Sequence, residues 1–224
     1  MMGNSGKCAL CGRVYTKRGM SRHLKSCLKK NMIPGKGDPA KGGQAGGGLI
    51  LSVEGYDDPQ YWLYLEMPFE TELYELDQFL RQIWLECCGH MSAFKIRGNY
   101  YNTAPSSEWD EKDMDICVHS ILSPGERFIH VYDFGSSTVL ALKIIDLAPA
   151  RAFPGEEITI LARNTAPQYR CDYCNSIAVK ICPECSFDGK GWLCEKCAEK
   201  HPCGEEMLLP VANSPRVGVC GYLG

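Results

Sequence analysis

The chain has 224 residues, of which 45% are hydrophobic and 23% charged, and its formal net charge is −3. That length and composition exclude a wholly disordered chain and predict one or two compact units with a real hydrophobic core. The apolar runs are far too short to cross a bilayer, and the first residues lack the apolar stretch of a secretory signal. We therefore expect a protein without a membrane span in a reducing cytoplasm, where the thiols of its fourteen cysteines stay available for metal.

The small net charge hides a marked asymmetry along the chain. Residues 1–48 contain ten basic side chains and one acidic one, whereas the remaining residues contain 14 basic and 26 acidic side chains. Nucleic acid is bound chiefly through its phosphates, so any such attraction should come from the N-terminal segment.

Residues 1–30 predict a small zinc finger. The spacing Cys8-x2-Cys11-x11-His23-x3-Cys27 resembles the ββα zinc-finger family in its variant with cysteine as the last ligand. A helix from about Arg18 to Leu28 would put His23 and Cys27 on one face, one turn apart. Because protein fills all four positions, the predicted Zn²⁺ is structural.

The basic charge of this finger allows two interpretations of what it contacts. In a DNA-reading finger, helix positions −1, 3 and 6 face the bases, and here they hold Thr16, Gly19 and Arg22. Gly19 can read nothing, so we expect at most salt-sensitive binding of low sequence specificity. The alternative is a solvated or protein-docking face. The candidate nucleic-acid contacts are Thr16, Lys17, Arg18, Arg22 and Lys25.

Residues 31–48 are rich in glycine and contain two prolines, which predicts a flexible linker. A finger on such a linker should be tethered to the rest of the chain and not docked on it.

Residues 49–167 predict an α+β body in which helices pack on a central antiparallel sheet. Apolar residues at three- and four-residue spacing indicate an amphipathic helix over Thr71–Cys88. A helix or a strand is expected over Met114–Ile121. The predicted strands are Tyr61–Met67, Ala93–Arg97, the hairpin Phe128–Phe134 and Thr138–Leu147, and Glu157–Arg163.

The sequences FLRQIWLECCGHMSAF and FIHVYDFGSSTVLALKII within the body carry a family resemblance. With Tyr132–Gly135 and the turn at Leu122–Glu126, they resemble the plasmid ORF-three-like family, also labelled transposable-element passenger proteins of the TnpR-like type. The resemblance implies an α+β fold and a link to mobile elements, and it implies no catalytic activity.

The body also holds thiols and imidazoles outside any recognised finger. Cys88, His90, Cys117 and His119 would form a fourth metal site if their segments met, or one Cys–His pair would activate a thiolate nucleophile. The alternative is that these are ordinary structural residues, with Cys87 on the apolar face of the predicted helix. Asp133 suits a turn. We favour the structural interpretation and predict no catalytic residues.

Residues 168–206 contain seven cysteines and a histidine, enough for two tetrahedral zinc ions. Sequential pairing would crowd the second site, because its first three ligands would lie along one helical stripe. Cross-braced pairing avoids this, and its spacing resembles the B-box zinc-finger family, which implies protein–protein association. The two predicted ligand sets are Cys171, Cys174, Cys194 and Cys197, and then Cys182, Cys185, His201 and Cys203, with Cys220 as a fallback eighth ligand.

With two zinc ions and seven thiolates, the segment between Cys171 and Cys203 carries a net charge of about −4, which would repel phosphate. Residues 207–224 form an apolar tail expected to pack on the body or the zinc module. The sequence thus predicts a cytoplasmic, non-enzymatic protein with three Zn²⁺ ions, acting as an adaptor. A nucleic-acid-associated regulator linked to mobile elements, which binds through the N-terminal finger, is the alternative.

Overall fold

The computed structural model describes residues 4–31, 47–106, 111–148, 152–153 and 157–224. Its helices are α1 (Lys17–Asn31), α2 (Leu73–Leu80), α3 (Val118–Ile121), α4 (Pro183–Ser186) and α5 (Glu195–Ala198). The strands are β1 (Ser5–Cys8), β2 (Val14–Thr16), β3 (Gly48–Gly55), β4 (Trp62–Pro68), β5 (Ser92–Ile96), β6 (Asn99–Asn102), β7 (Lys112–Asp113), β8 (Arg127–Tyr132), β9 (Thr138–Ala148), β10 (Thr159–Asn164), β11 (Lys180–Ile181), β12 (Trp192–Leu193) and β13 (Leu209–Pro210). Within these ranges, no helix has the length and apolar character needed to span a membrane.

A ten-stranded sheet dominates the molecule, which confirms a mixed α+β protein with a large antiparallel sheet. The strand order is β2-β1-β10-β4-β3-β9-β8-β5-β6-β7, and all pairs are antiparallel except β6 with β7. The predicted hairpin is present as β8 and β9, whose register runs from Arg127 opposite Lys143 to Tyr132 opposite Thr138. A separate three-stranded sheet, β12-β11-β13, lies in the C-terminal part.

The two faces of the large sheet bury different cores, because successive residues of a strand point to opposite sides. On the inner face, Leu63 and Leu65 of β4 join a large apolar core under α2. On the outer face, Trp62 and Tyr64 of the same strand pack with apolar residues of α1. β4 is therefore buried along its whole length.

The expectation that the N-terminal segment is merely tethered is wrong. β1 pairs with β10, with Gly6 opposite Asn164, so β1, β2 and α1 extend the body's own sheet. A Cβ on Gly6 would lie 2.2 Å from the Arg163 carbonyl oxygen and 2.5 Å from the Trp62 ring, so only glycine permits this approach. Most of the predicted linker, residues 32–46, lies outside the described residues.

The long helix predicted over Thr71–Cys88 is shorter than its apolar periodicity indicates. α2 ends at Leu80, a π-helical turn follows over Arg81–Leu85, and Glu86 is already extended. The Glu86 carboxylate accepts hydrogen bonds from the Gly89 amide and the Tyr132 hydroxyl. These bonds hold residues 86–90 in a loop, in which the chain turns toward the β8–β9 hairpin.

The C-terminal tail, residues 207–224, packs on the body, which is one of the two positions predicted for it. The Ser214 hydroxyl donates to the Trp84 carbonyl oxygen at 2.6 Å, and the Asn213 and Asn164 side chains bond each other. Arg216 has no exposed surface and donates to Asp133 at 2.8 Å. The first residues of the tail also contact the C-terminal zinc-ligand segment, because β13 of the tail pairs with β11 of that segment.

Candidate metal centres

Among the described residues, four groups of cysteine and histidine side chains each bring four donor atoms within 4.8 Å of one another. The sequence predicts three metal ions, and that number is wrong because the described residues contain four candidate sites. We name the groups the N-terminal cluster (Cys8, Cys11, His23, Cys27), the first C-terminal cluster (Cys171, Cys174, Cys194, Cys197), the second C-terminal cluster (Cys182, Cys185, His201, Cys203) and the tail cluster (Cys87, Cys88, His90, Cys220).

The N-terminal cluster joins the end of β1 to one face of α1. The Cys11 Sγ lies 3.2 Å from His23 Nε2, and the Tyr15 ring stacks on the His23 ring with 4.2 Å between centroids. His23 and Cys27 lie one turn apart on the helix, as their spacing predicts. Burial, together with neighbouring thiols, raises the pKa of Cys27 to about 12.

The first C-terminal cluster is formed by two short Cys-x2-Cys segments. The Cys174 Sγ lies 3.4 Å from Cys194 Sγ and 3.7 Å from Cys197 Sγ. A tight turn shapes the first segment, because the Asn175 amide donates to the Cys171 carbonyl oxygen and Asn175 adopts the left-handed region at φ 59°. The backbone and side chain of Ser176 donate toward Cys174 and lower its pKa to about 6, whereas the neighbouring thiols of the same cluster raise the pKa of Cys197 to about 12.

The second C-terminal cluster contains the most informative side chain of the module. The Cys185 and Cys203 sulfurs lie 3.5 Å apart, and His201 is only 7% exposed. Neither ring nitrogen of His201 has a hydrogen-bond partner among the described residues. A buried imidazole without partners is costly, whereas a metal ion would satisfy one of its nitrogens. The donor set therefore fits a metal ion in this cluster.

The chemistry of these donors points to one kind of metal. Thiolate sulfurs and imidazole nitrogens in fours are the usual ligands of tetrahedral Zn²⁺. With all four positions filled by protein, such an ion has no open position for a substrate. The N-terminal and both C-terminal clusters also bring together the same residues that the sequence groups as ligand sets.

The tail cluster differs from the fourth site considered from the sequence. Cys88 and His90 do lie together, with the Cys88 Sγ 3.0 Å from His90 Nε2. Cys117 and His119 lie elsewhere, at the start of α3, where they contact the carbonyl oxygens of Glu70 and Phe69. Their places beside Cys88 and His90 are taken by Cys87 and Cys220. The idea that Cys220 supplements the C-terminal ligand sets is therefore also wrong.

Three further polar side chains of the body, among them the candidate Asp133, serve its packing. Asp133 receives a hydrogen bond from Arg216, which with the amides of Ser136 and Gly135 lowers its pKa to about 2. Asp77 and His130 are fully buried, with His130 Nε2 2.6 Å from Asp77 Oδ1. Burial alone would raise the pKa of Asp77, but the bond from His130 lowers it.

The five candidate nucleic-acid contacts divide into two groups. Lys17 forms an ion pair with Glu54 of β3, and the Thr16 hydroxyl accepts a hydrogen bond from the Gly19 amide. Arg18, Arg22 and Lys25 are exposed on α1. The side chains free to meet a partner are thus these three basic ones.

Comparison with known proteins assigns neither a family nor a function. No family model matches the chain, and no curated protein matches it. Among solved structures, a protein of unknown function from Methanosarcina mazei Go1 is similar over 55% of this chain and 69% of its own. The identity is 12% and the TM-score is 0.44.

Proposed function

We propose that the protein is a zinc-organised, non-enzymatic adaptor that binds a protein partner through its C-terminal module, residues 168–206. In this proposal, residues 4–31 form a ββα-type finger and the C-terminal module is a cross-braced, B-box-like unit with two Zn²⁺ ions. Both interpretations rest on the grouping of donor atoms in the three terminal clusters. The body belongs, on the resemblance noted above, to the plasmid ORF-three-like family.

The observation that carries the adaptor function is the exposed apolar surface of the C-terminal module. Phe187 is 90% exposed, at the end of α4, and Tyr173 is 54% exposed beside His201. Ile177 and Val179 are also exposed. Large apolar side chains that remain in water are typical of protein-binding surfaces.

The charge of the module favours a protein over a nucleic acid as its partner. Lysines and acidic residues nearly balance across the segment from Cys171 to Cys203, and seven thiolates with two Zn²⁺ ions bring the net charge to about −4. A surface of that sign repels phosphate. The partner should therefore present an apolar patch with neutral or basic surroundings.

Substitution of Phe187 by serine should abolish capture of the partner without loss of fold, because this side chain contributes almost no packing in the free chain. The measurement is affinity capture from nuclease-treated native lysate, with the captured proteins quantified by mass spectrometry. Tyr74→Ser is the matched control, since Tyr74 is an exposed aromatic residue on α2, outside the module. Equal capture by both variants and the unaltered chain would contradict this assignment.

A second candidate function, nucleic-acid binding, is favoured by a basic stripe on α1. Arg18, Arg22, Lys25 and Lys29 are exposed at spacings of four, three and four residues, which places them along one side of the helix. α1 contains no acidic residue. On the same outer face of the sheet, a groove of about 530 Å³ is lined partly by Lys95, Arg127 and Lys143. Such a surface suits a phosphate backbone.

This candidate predicts steep salt dependence. The triple variant Arg18→Gln, Arg22→Gln, Lys25→Gln should weaken binding of a fluorescent 20-base-pair duplex and lower the slope of log affinity against log salt by about 2–3. The control removes three exposed lysines of the C-terminal module, Lys190, Lys196 and Lys200. Fluorescence anisotropy between 50 and 200 mM salt measures both. Equal slopes for the two triple variants would exclude the α1 stripe as the contact.

A further inference from the structure

We propose that the tail cluster binds a fourth Zn²⁺ ion, which fastens the C-terminal tail to the body. Three of its ligands, Cys87, Cys88 and His90, lie in the loop after the π-helical turn. The fourth, Cys220, lies in the tail, 130 residues beyond His90. The inference is independent of the adaptor function, because no residue of the C-terminal module takes part.

The distances within the tail cluster match those of a tetrahedral zinc site. With Zn–S bonds of about 2.3 Å, two sulfurs of a tetrahedron lie about 3.8 Å apart. The Cys88 Sγ lies 3.5 Å from both Cys87 Sγ and Cys220 Sγ, and the Cys220 Sγ lies 3.6 Å from His90 Nε2. The corresponding sulfur–sulfur distances in the two C-terminal clusters are 3.4–3.7 Å. The tail cluster is therefore as compact as the predicted zinc sites.

The backbone on both sides holds these donors in place. Gly89 lies between Cys88 and His90 in the left-handed region at φ 76°, and its amide donates to the Glu86 carboxylate at 2.6 Å. Cys220 adopts the left-handed region at φ 53°, which a non-glycine residue occupies at a cost. The π-helical turn ends the helix before Cys87 and frees the loop to turn. The two segments are thus shaped so that their donors meet.

Three thiolates, one neutral imidazole and one Zn²⁺ carry a net charge of −1, and a buried cation that Cys87 shares with Asp133 lies next to them. The Arg216 guanidinium, which is fully buried, donates to Cys87 Sγ at 3.4 Å and to Asp133 Oδ2 at 2.8 Å. A donor aimed at a ligating sulfur is characteristic of the groups that surround a bound metal.

The cysteines of the chain provide an internal control for this site. Thirteen of the fourteen belong to one of the four clusters, and Cys117 is the one outside them. Cys117→Ser removes a thiol without removing a predicted ligand. Cys220→Ser removes one ligand from the tail cluster and from no other.

The test is the metal content of the full chain, purified under reducing conditions from zinc-supplemented cells and measured by inductively coupled plasma mass spectrometry against protein concentration. We expect four Zn²⁺ ions per chain for the unaltered protein and for Cys117→Ser, and three for Cys220→Ser. Titration of the metal-free chain with Co²⁺ should show one fewer equivalent of thiolate-bound cobalt in the Cys220 variant. If Cys220→Ser folds poorly, His90→Asn provides the same comparison from the other segment.

Three ions in all three proteins would overturn the proposal and leave the terminal clusters intact. A chain two mass units lighter for each pair of lost thiols, with no metal lost in Cys220→Ser, would show a disulfide in place of a metal ion. Fewer than three ions in every protein would instead contradict the terminal zinc sites.

Discussion

Chelation of the metal should unfold the C-terminal module while the core of the body remains folded. The module has little apolar core of its own. Its two helices have only four residues each, and each begins directly after a cysteine ligand. Structural Zn²⁺ in isolated fingers contributes about 10–16 kcal/mol of apparent binding free energy at neutral pH, so loss of two ions exceeds what such a small unit can compensate. The buried residues of the large inner core include no ligand of any cluster.

Hydrogen exchange measured peptide by peptide, before and after treatment with a strong zinc chelator, checks this result. Peptides from residues 168–206 should lose protection by several orders of magnitude, and those from β3 and β9 should keep theirs. Re-addition of Zn²⁺ should restore protection, which controls for irreversible damage. Loss of protection throughout the chain would show that the body and the module unfold as one unit.

Substitution of Asp133 by asparagine should destabilise the chain by about 3–5 kcal/mol, because it leaves the buried Arg216 cation without its partner. Arg216 has no exposed surface, and its guanidinium donates to Asp133 Oδ2 at 2.8 Å. Asparagine preserves the shape and tolerates the left-handed backbone that Asp133 adopts at φ 64°. The change therefore removes little besides the negative charge.

The free energy of unfolding from urea titration measures this effect. Asp146→Asn is the matched control, since Asp146 is exposed and its carboxylate accepts a hydrogen bond from the neighbouring Leu147 amide. Adding Arg216→Met to Asp133→Asn should recover part of the loss, because the unpaired cation is then gone. A cost for Asp133→Asn no larger than that of the control would show that the Arg216 cation is stabilised by other groups. Metal content is determined alongside, so that loss of an ion is not mistaken for loss of the ion pair.

The three terminal clusters could be predicted because their ligands are close in sequence. Cys8 and Cys11, or Cys194 and Cys197, are spaced as a single backbone turn requires, and the pattern is visible without knowledge of the fold. The tail cluster could not be completed in this way. Cys87, Cys88 and His90 form a local set of three donors, but nothing near them indicates that the fourth is Cys220.

The docking of the N-terminal segment was hidden for a related reason. β1 and β10 are separated by about 150 residues in the chain. β1 pairs with β10, which in turn pairs with β4, and the pattern of apolar residues in a strand does not indicate which strands pair. The glycine-rich composition of residues 31–48 predicts chain flexibility, but it gives no information on whether the segments before and after it contact each other. Gly6 was the available signal, because glycine within a strand often marks a close approach of another backbone.

Native mass spectrometry of the full chain as purified tests directly whether metal ions organise this protein. We expect a folded species whose mass exceeds that of the chain by four Zn²⁺ ions, less the protons displaced from the thiols. A compact, folded chain with no bound metal would contradict it, because the three terminal clusters would then hold their shape without the ions on which the proposed adaptor depends.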